Sequence, residues 1–147
     1  DFETIAAALT IAETGHLVFA TLHTNSASQT VDRIVDVFPE SQQAQVRLQL
    51  SGNLEAVFSQ RLVPKVNSGR AVAYEIMLGT QAVKTAIRES KSHMLDNIIL
   101  TSAEYGMATL ENSLAQLVKA GVITLETAQA YAMRPGDVTR FMTGGKV

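Results

Sequence analysis

Leu17-Val18-Phe19-Ala20-Thr21-Leu22 is a short run, rich in β-formers and apolar on both faces. Such a run suits a buried parallel strand, which helices cover on both sides, better than a half-exposed one. Just before it, Glu3 to Thr14 reads as a helix. Ile5, Leu9 and Ala8 or Ala12 recur at helical spacing, and Gly15 offers the left-handed conformation that ends a helix. A helix running straight into a buried strand is the second half of a β-α-β unit, and the first strand of that unit is missing. The chain opens on Asp1 instead of Met and reads as a piece of a longer protein.

The remaining pattern extends this frame. Ser28 to Phe38 reads as a helix with Val31, Ile34, Val35 and Phe38 on one face, stopped by Pro39. Ser41 to Gln60 is predicted helical again, kinked near Ser51-Gly52. Leu62-Val63, the turn Asn67-Ser68-Gly69 and the alternating stretch Arg70 to Leu78 predict a β-hairpin. Beyond Thr80, helices are expected at 81–89, 92–104, 110–120 and 125–133, with a short one after Pro135; Gly106 and Gly121 sit at helix ends. Leu110, Leu114, Leu117 and Val118 form an apolar stripe that reads as core. The predicted class is α/β, with a front half at 1–79, a small helical bundle at 80–142 and a tail at 143–147.

Composition removes several function classes. The chain has 147 residues, 46% of them hydrophobic, and roughly 70% of the unfolded chain's surface can be buried at this length. It has no cysteine, which excludes disulfides, thiolate metal sites and cysteine nucleophiles. Twelve Lys and Arg against 14 Asp and Glu, with no basic run, argue against a nucleic-acid partner. No apolar stretch approaches the ~20 residues of a membrane span, so direct membrane insertion is not expected.

Two histidines flank the apolar run. His23 sits at its carboxyl end with Thr24 and Ser26, where open parallel sheets bind ligands. An imidazole there can donate to a phosphate oxygen and so report whether a terminal phosphate is present. A hydrogen-bonded structural histidine is the plainer alternative. His16 sits at the opposite end, beside a helix terminus. The two point to opposite faces of a strand, and no metal site is expected. No Gly-x-x-x-x-Gly-Lys-Ser/Thr cradle exists: the one Gly-Lys, Gly145-Lys146, is followed by Val147. Asp1-Phe2-Glu3-Thr4 is favourable helix-start chemistry or the far end of an acidic metal-and-water site. Ala86-Ile87-Arg88-Glu89 reads as two core residues followed by two solvated charges. Asp32 and Arg33 are adjacent and so do not face each other on a helix. Arg33 is equally a surface charge.

The words themselves go further. Thr14-Gly15-His16-Leu17-Val18-Phe19-Ala20-Thr21-Leu22-His23-Thr24 resembles the histidine box of the type II/IV secretion ATPase superfamily. Asp1-Phe2-Glu3-Thr4 is similar to the segment after that family's Walker B motif. Asp32 to Pro39, Ser59-Gln60-Arg61-Leu62, Gly69-Arg70, Glu75-Ile76-Met77 and Tyr105-Gly106-Met107 occur in the family's order. Ala82 to Glu89 resembles the retraction-associated motif Ala-Ile-Arg-Asn-Leu-Ile-Arg-Glu: the segment Ala86-Ile87-Arg88-Glu89 falls at its end, with Ile87, Arg88 and Glu89 identical, while Val83, Lys84, Thr85 and Ala86 depart from it. With no four-cysteine zinc insertion, the resemblance is strongest to the PilT-like type IV pilus retraction (twitching-motility) ATPases.

This resemblance implies a partial RecA-like P-loop ATPase domain, without its first strands and Walker A, followed by the helical bundle. It implies a homohexameric motor that binds ATP and Mg²⁺ in the full-length protein. Such a motor is cytoplasmic, peripheral to the bacterial inner membrane, and acts on a pilus platform protein there. His23 would be the catalytic γ-phosphate sensor, with Thr24 and Arg33 on the nucleotide. His16 would be the structural or coupling member of the box, and Glu3 would follow the Walker B acid. The fragment alone is expected to be inactive and to hold no cofactor tightly. The alternatives are the same region of a pilus-assembly or type II secretion ATPase, and a non-catalytic interaction or oligomerisation module.

Overall fold

The computed structural model describes residues 1–144; Gly145-Lys146-Val147, most of the expected tail, lie outside the described residues. The chain packs as two units that interleave along the sequence. One comprises Asp1–Val57 and Leu78–Ile98, the other Phe58–Met77 and the residues from Ile99 onward.

In the first unit, α1 (Phe2–Glu13) begins at Asp1, whose carboxylate accepts the Thr4 N–H at 2.8 Å. It ends at Thr14, and Gly15 follows in the left-handed region at φ 88°, as the sequence suggests. α2 (Ala27–Asp36) is capped by Ser26, whose hydroxyl accepts the Gln29 N–H. Its buried stripe is Ala27, Thr30, Val31 and Val35, with Phe38 buried just beyond. The Phe38 ring meets that of Phe2 edge-on, centroids 4.9 Å apart. Pro39 both stops α2's run and caps α3 (Glu40–Asn53), which buries Val46 and Leu50. α4 (Gln81–Arg88) buries Val83, Ala86 and Ile87 and packs on α3.

The second unit is built on the hairpin. β1 (Ala56–Pro64) and β2 (Arg70–Leu78) form a two-stranded sheet, and Gly69, at φ 77°, closes the turn. Val63, Ala71 and Ala73 point inward against Leu110, Leu114 and Ala115 of α6 (Leu110–Lys119). Ala128 of α7 (Leu125–Tyr131) and Val138 of α8 (Pro135–Met142) complete this core. The stripe expected to be core is core: Leu110 and Leu114 are buried, and Leu117 and Val118 pack against them. Ile76 bridges to Ala108, and the Tyr74 N–H donates to Ser113 Oγ at 3.0 Å.

Several expectations are corrected. Leu17 to Leu22 forms no strand and is not buried: Leu17 is 73% and Phe19 89% exposed. A parallel strand exists only through ladders with flanking strands, and among the described residues nothing pairs with this run. The second long helix stops at Asn53 instead of Gln60. Leu54 turns extended, and Val57 and Phe58 join the hairpin, where β-branched and aromatic side chains fit a pleated surface. The helix expected at 92–104 is a 3₁₀ turn at Ser92–Met94, then α5 (Leu95–Thr101), then a second 3₁₀ turn at Ala103–Tyr105. The packing also groups residues differently from a cut at 79/80. α4 joins α1 to α3, because its apolar face is buried there, while α6 to α8 join the hairpin.

Candidate functional site

The segment joining α1 to α2 carries both histidines. His16 is held at the end of α1: its Nδ1 lies 2.8 Å from Thr14 Oγ1, which itself donates to the Ile11 carbonyl at 2.6 Å. A hydroxyl has one proton and a carbonyl only accepts. His16 Nδ1 is therefore the donor, which leaves Nε2 without a hydrogen bond among the described residues.

His23 is exposed and has no hydrogen-bond partner among the described residues. Next to it the backbone is tied to α2. Thr30 Oγ1 donates to the Ser26 carbonyl at 2.8 Å, so Thr24 Oγ1 is the donor in its 2.6 Å contact with Thr30. The Asn25 N–H donates to Gln29 Oε1 at 3.2 Å. These bonds fix the approach to the α2 amino-terminus and place His23 over the helix.

Beside it lies an open depression of about 310 Å³, lined by His23, Thr24, Asn25, Gln29, Asp32, Arg33 and Asp36. The structure thus brings His23, Thr24 and Arg33 together. His16 and Glu3 do not line the depression; Glu3 is exposed on the first turn of α1. Asp32 and Arg33 both line it. Adjacent helical residues diverge by about 100°, and a depression this wide accommodates both. Sequence reasoning missed Gln29 and Asp36. Their spacing with Asp32 and Arg33 (i, i+3, i+4, i+7) was the available signal.

Arg33 makes no ion pair among the described residues. One guanidinium, one imidazole and two amides stand here against two carboxylates. That donor set fits contact with one edge of a phosphate, with the positive end of α2 adding to the attraction. It is not a phosphate cradle, which needs a wrap of backbone N–H groups. No group of three or more His, Asp or Glu that can hold a metal ion occurs among the described residues.

Ala86 and Ile87 are buried, whereas Arg88 and Glu89 are exposed. Glu89 Oε2 lies 2.7 Å from Lys91 Nζ. That hydrogen bond and charge, with a smaller contribution from Arg88, hold the Glu89 carboxyl below its ordinary 4.5. The corner after α4 is a tight one. The Lys91 N–H donates to the Ala86 carbonyl at 2.8 Å and the Ser90 N–H to the Ile87 carbonyl at 3.2 Å. Ser90 sits in the left-handed region at φ 59°.

No helix among the described residues is long and apolar enough to cross a membrane. Residues 1–68 match the family model described as "Type II/IV secretion system protein". The type IV pilus retraction ATPase PilT of Pseudomonas aeruginosa is 52% identical over 121 residues, 82% of this chain and 35% of that protein. A twitching motility protein of Neisseria gonorrhoeae is 48% identical over 122 residues, 82% of this chain and 33% of that protein. A crystal structure of the pilus retraction motor PilT with bound ADP superposes with a TM-score of 0.84 at 44% identity, covering 95% of this chain and 39% of that one. The chain therefore spans about a third of the length of these sequence relatives. Its likeness is to the type II/IV secretion system proteins, and to the carboxyl-terminal portion of their PilT-like members over most of this chain.

Proposed function

We propose that these residues are the carboxyl-terminal part of a hexameric, ATP-hydrolysing motor that powers type IV pilus retraction. The carrying observation is the 52% identity with the Pseudomonas PilT across most of the chain. ATP bound with Mg²⁺ supplies the phosphoanhydride whose cleavage drives the motor. The residues of this chain would do the sensing. His23, exposed and unpaired at the rim of the depression, reaches a terminal phosphate oxygen, and Arg33 and Thr24 flank it. A phosphate contact there biases one arrangement of the α1–α2 connection, and its loss releases it. His16, hydrogen-bonded to the end of α1, couples that connection to the helix. Glu3 lies on the first turn of the same helix, next to where a Walker B acid would precede it.

Ala86 and Ile87 anchor the retraction-associated motif in the core, which leaves Arg88 and Glu89 to meet a partner. That partner is the inner-membrane pilus platform protein, reached from the cytoplasm by a ring that does not insert in the bilayer. Residues 1–147 alone lack the phosphate cradle, hold no nucleotide tightly and do not turn ATP over.

The test uses the chain together with its upstream coding residues. His23→Ala should cut steady-state ATP hydrolysis by about tenfold or more, the scale of losing one charge-stabilising contact, while ADP still binds. Unchanged turnover in His23→Ala, or multiple turnovers by residues 1–147 alone, would remove this reading.

A further inference from the structure

Of the four buried residues of α2, only Thr30 is polar. Valine would fill the same place in the core with no hydroxyl to satisfy, and its helix propensity is about equal. A threonine that bonds back to the i−4 carbonyl also tends to bend its helix. The start of α2 does not need that hydroxyl. The Ser26 side chain accepts the Gln29 N–H, and the Ser26 carbonyl already accepts the Thr30 N–H at 3.0 Å. What the Thr30 hydroxyl adds is an acceptor, 2.6 Å from Thr24 Oγ1.

Protons run one way along this chain. Thr30 donates to the Ser26 carbonyl, so Thr24 donates to Thr30. Each bond polarises the next and strengthens it. A threonine has one hydroxyl proton, and that of Thr24 is therefore committed. An ionised phosphate oxygen only accepts, and Thr24 has nothing left to give it. The imidazole of His23 and the guanidinium of Arg33 line the same depression and remain able to donate. His23 directly precedes Thr24, so whatever fixes Thr24 also fixes the backbone that carries the imidazole.

We propose that Thr30 is a positioning residue of the candidate site. Its buried hydroxyl holds Thr24 and through it seats His23 over the depression, and Thr24 is a tether instead of a phosphate ligand. The consequence for ATP turnover rests on His23 being the phosphate sensor; the tether itself does not.

The experiment uses the chain together with its upstream residues, with histidine rings labelled with carbon-13. Loss of one signal in His23→Ala assigns His23. Without nucleotide, the His23 signal should move in Thr30→Val and return in Thr30→Ser. Thr24→Val should move it too, and Thr24 is only half-buried, so that variant tests the tether from outside the core. Circular dichroism verifies that the helices persist. In turnover, each valine variant should lower kcat about three- to tenfold, the scale of one neutral hydrogen bond, with ADP affinity kept within about twofold. The double variant Thr24→Val/Thr30→Val should lose no more than either single one, because both break the same bond. An unmoved His23 signal in Thr30→Val overturns the proposal, and so do losses that multiply in the double variant. It is equally overturned if Thr24→Val weakens binding of a non-hydrolysable ATP analogue while Thr30→Val does not, since Thr24 is then a direct ligand. Normal turnover by His23→Ala removes the sensor alone, and the nucleotide-free signals still decide the tether.

Discussion

Glu111 Oε1 accepts the backbone N–H of Arg134 at 3.0 Å from a residue only 1% exposed. The same oxygen accepts the Met133 N–H at 3.1 Å, and Oε2 lies 3.7 Å from the Arg134 guanidinium. One buried carboxylate thus ties the corner between α7 and α8 to the first turn of α6. Glu111→Ala strands two donors and should cost about 2–3 kcal/mol, whereas Glu111→Gln keeps an accepting oxygen and should cost about 1 kcal/mol. Urea unfolding of the three proteins measures this. Equal losses would mean that the two N–H bonds are not what the carboxylate contributes.

Ser90 closes the α4 corner with a backbone that L-residues other than glycine adopt at a cost. Ser90→Gly should therefore raise stability by about 1 kcal/mol, and Ser90→Val should lower it by at least as much. Both changes leave the two corner hydrogen bonds in place. Thermal melts of the pair should move in opposite directions, and a shared downward shift would contradict the account.

Gly79 has no room for a side chain. Its N–H donates to the Glu55 carbonyl at 2.7 Å, and an added Cβ would stand 2.0 Å from the Leu54 carbonyl oxygen. Backbone has to move to relieve that overlap. Gly79→Ala should cost about 3 kcal/mol, read as a lowered urea midpoint. Hydrogen exchange should quicken first at Leu54 to Val57.

Glu89 titrates below its ordinary value because Lys91 stabilises its charged form. A depressed carboxylate contributes stability above its unfolded pKa and loses it as pH falls through the lower folded pKa. The contribution should be intact at neutral pH and vanish only in the acid range beneath 4.5. The Glu89 side-chain carbonyl resonance should show a midpoint below that of an ordinary glutamate. Lys91→Ala should move it upward, and so should high salt, since the pair is exposed. An unmoved midpoint in Lys91→Ala would refute the assignment.

Local signals in the sequence carried the helices well. The stripes Val31-Val35 and Leu110-Leu114 and the glycines at 15, 106 and 121 are each settled within a few residues. The run Leu17 to Leu22 was not, because a strand is a property of a pair and composition describes only one member. Val57 and Phe58 show the converse: helical spacing was extended through them, yet they found a partner in β2. Ser90 gave no warning, since serine is not a left-handed signal. At the candidate site, His23, Thr24 and Arg33 were legible as residue types. That they share a depression with Gln29 and Asp36 depends on how the Thr24–Thr30 bond seats the incoming chain on α2.

The inward face of the hairpin has a consequence during synthesis. Ala73 packs in the same core as Leu114 and Val138, which leave the ribosome 41 and 65 residues later. At roughly 5–20 residues per second, the wait is about 2 to 13 seconds. For that interval Val63, Ala71 and Ala73 have no cover from α6 and α8, and both faces of a β-ribbon are wet at once. A nascent chain stalled between Leu78 and Leu110 would present an adhesive double-sided ribbon, the sort of segment that chaperones hold.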